Sequence, residues 1–300
     1  MNSPAFRIEP VEYSTALEQL RAVRETVFVH EQGVPVELEW DELDPQCHHL
    51  LARDAAGQPI GTGRLTPEHR IGRMAVLAEW RGRGVGEALL DALIERARDL
   101  RWHEISLHAQ TSAIEFYARR GFLPLGERFM EAGIEHQSMH RLLDQPTPVE
   151  THAQALAAVV GIVATARRRV HIYSRELDPG LLDQPEALAA FRRLGTRGGE
   201  VQVLLQDPLT PQRALAPMIG LAQRLPSAFR FRAIDDPVDQ EFPSAYVVND
   251  LGGWYFRSLG HRIDGETQID GAGRARQLRS SFEPVWERSR LCSEFRALGI

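Results

Sequence analysis

Apolar and polar positions along this chain fall into two registers. Met74, Ala75, Val76 and Leu77 form a short continuous apolar run, the pattern of a buried strand. Just downstream, Leu89, Leu90, Leu93, Ile94, Ala97 and Leu100 recur at helical spacing and mark a one-sided amphipathic helix. Between them lies Arg81-Gly82-Arg83-Gly84-Val85-Gly86, so glycines and arginines cluster where a strand hands over to a helix. Ile105 and Leu107 alternate as in a strand. Ser112 and Glu115 have the S-x-x-E spacing of a capping box, and Gly121 supplies a helix stop after Ala113, Phe116 and Tyr117 on one face.

A second series begins near Thr151. Its pattern predicts helices over 153–167, 185–194, 211–224 and 274–290, and strands over 170–174, 201–206, 229–233, 245–249 and 254–257, with a Gly-rich stretch before the last helix. Alternating β and α segments with Val/Leu-rich strands predict a sheet covered by helices. The polar DQPTPVE segment, with Pro146 and Pro148, reads as a linker. The expected division is a first domain over 1–145, a linker over 146–150 and a second α/β domain over 151–300.

The glycine cluster has a chemical reading. The first N–H groups of a helix lack intrahelical partners, and glycine lets a ligand approach the backbone closely. Such a terminus is a site for an anion, typically a phosphate or pyrophosphate. The GxxxxGK[ST] pattern is absent, and GxGxxG fails because Glu87 stands where the last glycine is needed. What remains is R-x-x-G-x-G, Arg81 to Gly86, five residues after Val76.

This hexapeptide resembles the pyrophosphate loop of the GCN5-related N-acetyltransferases (GNAT). The stretch from Gln110 to Phe122 resembles a second GNAT motif, N-x-x-A-x-x-x-Y-x-x-x-G-F: Ala113, Tyr117, Gly121 and Phe122 match, and Gln110 stands where Asn is usual. LRAVRETVFVHEQGVP and FMEAGIEHQSMHR are similar to the ElaA/YjcF-type branch. The resemblance covers roughly residues 5–143. It implies an α+β GNAT fold with a mixed central sheet, acetyl-CoA as co-substrate and an amine-bearing acceptor. By resemblance, Met74, Ala75 and Val76 offer backbone contacts to the pantetheine and the acetyl oxygen. Arg81, Gly82, Arg83, Gly84, Val85, Gly86 and Glu87 hold the pyrophosphate, and Gln110, Ala113 and Phe116 complete the cofactor site. Tyr117 is the candidate acid for the CoA sulfur. Glu31 and His136 are candidates for the base, with a water chain as the alternative. The VELEWDELD segment, carrying Glu37, Glu39, Asp41, Glu42 and Asp44, reads as a solvated acidic loop or as an attractor for a cationic amine.

In the second domain, ARRRVHIYSREL, RGGEVQVLLQD and SSFEPVWERS resemble the phospholipase D-like fold. Aligning that family's HxKxxxxD on Asp250 puts Pro243 and Ala245 at the His and Lys positions. The resemblance therefore implies a catalytically inactive domain, used for assembly or substrate gating, and leaves a homodimer open.

Composition adds limits. The chain has 300 residues, 43% hydrophobic and 25% charged, which suits two domains of ordinary size. No apolar run has membrane-spanning length, and MNSPAFRIEPVEY lacks a signal pattern. Cys47 and Cys292 lie far apart and suggest reduced thiols in a cytoplasmic protein. No metal site is expected: there is no CxxC, and His48-His49 reads as a loop or strand end. His171 and His261 read as structural. A formal charge of −6 argues against nucleic-acid binding, although Arg167, Arg168, Arg169, Arg192, Arg193 and Arg197 keep a nucleic-acid-binding second domain as an alternative. A CoA-binding scaffold without catalysis is the other alternative.

Overall fold

The computed structural model describes residues 5–292 and Phe295; the first residues read above for a signal pattern, 1–4, lie outside these. The chain divides into two units, one of residues 1–112 and 125–144, the other of 113–124 and 145–300.

The first unit is a seven-stranded mixed sheet. Its elements are β1 (Phe6–Val11), α1 (Tyr13–Arg24), α2 (Val36–Glu39), β2 (His48–Asp54), β3 (Pro59–Leu65), β4 (Arg70–Val76), α3 (Val85–Asp99) and β5 (Glu104–Gln110). After α4 (Ile114–Ala118), which groups with the second unit, come β6 (Leu123–Glu131) and β7 (Ile134–Leu142). The sheet order is β1-β2-β3-β4-β5-β7-β6. Helix α1 runs on into a π-helical stretch, Glu25–Glu31. The expected stripe of α3 is buried: Val85, Leu89, Leu90, Leu93, Ile94 and Ala97. Strand β3 receives it closely, since a Cβ on Gly63 would lie 2.8 Å from the Met74 sulfur and 2.9 Å from Leu93.

The second unit is an eight-stranded sheet with helices on both faces. Its elements are β8 (Thr147–Val149), α5 (His152–Thr165), β9 (Arg169–Ser174), α6 (Pro185–Thr196), β10 (Glu200–Leu205), α7 (Leu209–Arg213) and α8 (Pro217–Arg224). They are followed by β11 (Phe229–Ala233), α9 (Pro237–Gln240), β12 (Ala245–Asn249), β13 (Trp254–Arg257), β14 (Gly265–Gln268), α10 (Ala272–Arg288) and β15 (Arg290–Leu291). The order is β15-β11-β10-β9-β12-β13-β14-β8. Strands β9, β10 and β11 are parallel, and β12 joins β9 antiparallel. Side chains alternate between two cores. Val170, Ile172, Val201, Val203 and Val247 pack with α5 and α6, whereas Tyr173, Leu204, Tyr246 and Val248 pack with Phe282 and Trp286 of α10.

The structure corrects four local expectations. Residues 147–149 of the expected linker form β8, which pairs with β14; Pro148 is tolerated because β8 is the last strand in the sheet order. Segment 113–124 does not group with residues 1–112: Ala118 and Leu123 are buried in the larger core of the second unit, and a Cβ on Gly161 of α5 would collide with the Ala118 carbonyl at 2.3 Å. The Ser112–Glu115 capping box is absent, because a 3-10 turn, Thr111–Ala113, precedes α4; Glu115 instead pairs with Arg119 and Arg193. The helix expected over 211–224 is broken into α7 and α8, with Leu215 at a φ of 52° before Pro217.

Candidate active site

Two features of the first unit converge around β4. Strands β4 and β5 are parallel, yet they pair only at Arg70–Ser106 and Ile71–Leu107. Beyond Ile71, β4 continues to pair with β3 through Gly72, Ala75 and Val76. Gly72, Ala75 and Val76 therefore have strand partners on the β3 side only, and Arg73 and Met74, at the register shift, have none on either side. On the side that β5 leaves unpaired, backbone groups of this stretch can take strand-like hydrogen bonds from a ligand's amides, although the Val76 carbonyl already accepts from Arg81. The pairing with β3 shifts register between Thr62 and Arg64, opposite Arg73, whose φ is 51°. An arginine held in the left-handed region needs support from its surroundings.

That support is the second finding. Arg73 Nε donates to the Glu39 carbonyl at 3.1 Å, and its Nη2 donates to the Leu38 carbonyl at 3.1 Å. Arg24, fully buried, grips the Asp44 carboxylate at 3.0 and 3.1 Å and the Glu39 carbonyl at 2.6 Å. Arg64 bridges Asp41 and Asp44. The guanidiniums of Arg24, Arg64 and Arg73 thus match the carboxylates of Glu39, Asp41 and Asp44 one for one. Burial alone would raise the Asp44 pKa, but Arg24 and Arg64 more than offset it and hold the carboxyl below its ordinary value. At Glu39 burial prevails and the pKa is raised. The reading of this segment as a solvated acidic loop is therefore corrected for Glu39, Asp41 and Asp44, which anchor the chain beside the β4 kink. Glu37 and Glu42 are exposed.

After β4 a 3-10 turn, Ala78–Trp80, leads to the glycine cluster. Gly82 and Gly84 have φ of 70° and 84°, where other residues are strained, and Gly84 is the N-cap of α3. No side chain caps this terminus. A Cβ built on either glycine would meet no atom within 4 Å, so the approach to the first amides of α3 is open. Open, uncapped amides beside Arg81 and Arg83 fit a diphosphate. Arg83 lies over the Trp80 ring at 5.0 Å. Arg81 makes a two-pronged pair with Glu31, 2.6 Å at each contact, and its Nε donates to the Val76 carbonyl at 3.0 Å. The hydrogen bond from Arg81 lowers the Glu31 pKa. The carboxylate considered as a base is thus engaged with, and acidified by, an arginine of the glycine cluster. This pairing of two stretches fifty residues apart has no signal in the sequence.

The other sequence-derived candidates are distributed as follows. On β7, His136 stands opposite Gln110 of β5. Its Nδ1 lies 2.9 Å from the Ile134 carbonyl, which can only accept, so in the neutral ring Nδ1 carries the proton and Nε2 the lone pair. The Gln110 amide donates to Gln32 at 3.0 Å, just past the π-helical stretch. Ala113, Phe116 and Tyr117 belong to the segment that groups with the second unit. The Tyr117 ring meets Phe116 at 5.0 Å and Phe122 at 6.1 Å, both edge-on. Its hydroxyl bonds no described residue, and burial pushes its pKa up to about 12. Met74 and Val76 are partly exposed and Ala75 is buried.

Residues 16–143 match the family model described as the acetyltransferase (GNAT) domain, and residues 151–298 match a model described as a domain of unknown function. The uncharacterized N-acetyltransferase YjcF of Bacillus subtilis is 40% identical over 121 residues, spanning 39% of this chain and 86% of the relative. Among solved structures, an acyl-CoA N-acyltransferase from Pseudomonas aeruginosa is 30% identical, covering 45% of this chain and 99% of its own, with a TM-score of 0.42. ElaA of Escherichia coli is 26% identical with the same coverages and TM-score. The phospholipase D-like resemblance of residues 151–300 finds no counterpart in these matches. With 40% identity over most of that relative's length and the match of residues 16–143, the chain belongs to the GNAT acetyltransferase family as an acyl-transferring enzyme.

Proposed function

We propose that this protein transfers an acetyl group from acetyl-CoA to an amine. The observation that carries the proposal is the one-sided pairing of β4 beyond Ile71 next to the open, uncapped N-terminus of α3. Acetyl-CoA supplies the activated acyl group. The first amides of α3, from Val85 to Glu87, with Gly82, Gly84 and Arg83, hold its diphosphate. The backbone of Met74, Ala75 and Val76, without a β5 partner, offers donors for the pantetheine and the acyl oxygen, the kind of fixed dipole that stabilises developing negative charge. Arg81 adds positive charge, and Glu31 acts as its positioning partner rather than as the base. An exposed pair of this kind contributes about 0–1 kcal/mol, so a phosphate can draw on Arg81 at little cost. His136 is the base: its Nε2 lone pair takes a proton from the amine, and the Ile134 carbonyl fixes the tautomer. Tyr117 returns a proton to the departing sulfur.

For residues 151–300 we propose a domain without phosphodiester chemistry. The Asp250 carboxylate accepts from the Arg167 and Arg168 amides at 2.9 and 2.8 Å and so ties down the turn between α5 and β9. A structural task thus accounts for the one residue left of the aligned triplet. Of the six arginines considered for nucleic acid, Arg169 pairs with Glu200, Arg193 with Glu115, and Arg197 donates to the Ala164 and Ala166 carbonyls.

Gly84→Asp tests the cofactor site. It puts a side chain on a φ of 84° and a negative charge at the helix terminus. The expected result is acetyl-CoA binding weakened by at least about tenfold in calorimetric titration, which corresponds to roughly 1.4 kcal/mol. Wild-type affinity in a folded Gly84→Asp variant would remove the loop from the site.

A further inference from the structure

The second unit contains a cavity of about 300 Å³ lined by Arg175, Gln206, Gln240, Glu241, Phe242, Pro243, Ser244, Leu259, Gly260 and His261. Its position follows from topology. Strand β9 has β10 and β11 on one side and β12 and β13 on the other. Arg175 and Gln206 are the first residues beyond the carboxyl ends of β9 and β10, and Ser244 immediately precedes β12. This is the switch point of the sheet, where the chain's successive strands change direction of travel, and crevices at such points are the usual ligand sites of open α/β sheets.

The walls are fixed by bonds already made. Gln206 donates to the Phe242 carbonyl at 2.7 Å, and Gln240 to the Ile234 carbonyl at 2.7 Å. Ser244 Oγ donates to the Ser258 carbonyl at 3.1 Å, and the Phe242 ring meets Tyr173 edge-on at 5.2 Å. The side chains of Arg175, Glu241 and His261, by contrast, bond no described residue, and all three are exposed. Phe242 and Leu259 are exposed apolar groups at 39% and 42%. A prebuilt cavity thus offers a guanidinium, an imidazole, a carboxylate and an apolar wall that the protein itself leaves unused.

We propose that this cavity binds a small zwitterion with an apolar side chain, of the amino-acid class. The ligand's carboxylate is taken by Arg175, with His261 as a second donor; its ammonium is taken by Glu241; its apolar part lies on Phe242, Pro243 and Leu259. A simple anion leaves Glu241 opposing it and a simple cation leaves Arg175 opposing it, whereas a zwitterion satisfies both. Arginine supplies the two parallel donors that match a carboxylate. The site is distinct from the acetyl-CoA loop, and binding here is independent of the proposed acetyl transfer.

The test is calorimetric titration of the full chain with L-phenylalanine, 3-phenylpropionate and phenethylamine, which share a ring and differ in their charges. Phenylalanine is expected to bind at least about tenfold tighter than either comparator, the order of effect of losing one charged hydrogen bond. In Arg175→Ala the preference over phenethylamine is expected to vanish while that over 3-phenylpropionate persists. Glu241→Gln is expected to do the reverse. Circular dichroism checks that both variants, altered at exposed positions, stay folded. The proposal is overturned if phenylalanine does not bind at millimolar concentration, if the three probes bind equally, or if the preference survives in both variants.

Discussion

Arg24→Ala is expected to destabilise the protein by about 3–5 kcal/mol, the usual cost of removing one partner from a buried ion pair. Arg24 is fully buried, and the Asp44 and Glu39 side chains it holds are 0% and 2% exposed. Removal leaves three carboxylates facing two guanidiniums, empties the volume of one of the largest fully buried side chains, and ends the stacking of Arg24 on Trp40 at 4.3 Å. Urea denaturation of Arg24→Ala and Arg24→Met measures this. Methionine restores part of the volume but not the charge, so it should recover only a minority of the loss. The double variant Arg24→Met/Glu39→Leu balances the charges again and is expected to regain at least half, because apolar replacement of a whole buried pair is often nearly neutral. A loss under about 1 kcal/mol in Arg24→Ala would mean that the network is not what holds this segment.

The network also bears on catalysis. Arg73 reaches from the kink of β4 to the carbonyls of Leu38 and Glu39, the same segment that Arg24 and Arg64 clamp. Loosening the clamp is expected to relax the backbone conformation at Arg73, and with it the aim of the neighbouring amides of Met74, Ala75 and Val76. Stability and acyl transfer are therefore expected to decline together in Arg24 variants, at temperatures where the protein is still folded.

What was legible in the sequence is what rests on local rules. The glycine loop is readable because a strand pattern, positive-φ residues and a helical stripe follow one another within thirty residues, and each constrains the backbone directly. The α/β pattern of the second unit is readable because its strands alternate between two apolar faces. The Thr151 helix start is equally local, with the capping box completed by Gln154. The charge network is not readable. Its members are separated by 15 to 35 residues, and acidic residues in a row look solvated until an arginine from another element is buried among them. Nor was the division of the chain legible. Pro148 and its polar neighbours suit a linker as well as an edge strand, and nothing in the 113–124 stretch announces that Ala118 and Leu123 fill a core built mainly from residues after 145. For the same reason a chain cut at residue 145 would lose the partners of Ala118 and Leu123, so the role of the second unit is better probed by substitutions in the full chain.

Tyr117→Phe is expected to lower kcat by about 10²–10⁴-fold, the range for loss of a positioned general acid, while leaving the affinity for acetyl-CoA within about twofold. The ring is held edge-on by Phe116 and Phe122, and phenylalanine keeps both contacts. The hydroxyl bonds no described residue, so its removal leaves no orphaned partner there, and melting temperature should hardly change. Burial pushes the phenol up to about 12, so it is protonated at neutral pH and can donate a proton to a departing thiolate. The sign of this shift makes a second expectation. An acid with so high a pKa stays competent as the solution becomes more alkaline. The wild-type rate should therefore show no fall from the tyrosine below about pH 10. Steady-state kinetics across this range, with single-turnover measurements to establish that chemistry limits the rate, decide the matter. If Tyr117→Phe turns over at the wild-type rate under those conditions, the residue serves the packing of α4 alone, and the proton for the sulfur comes from elsewhere.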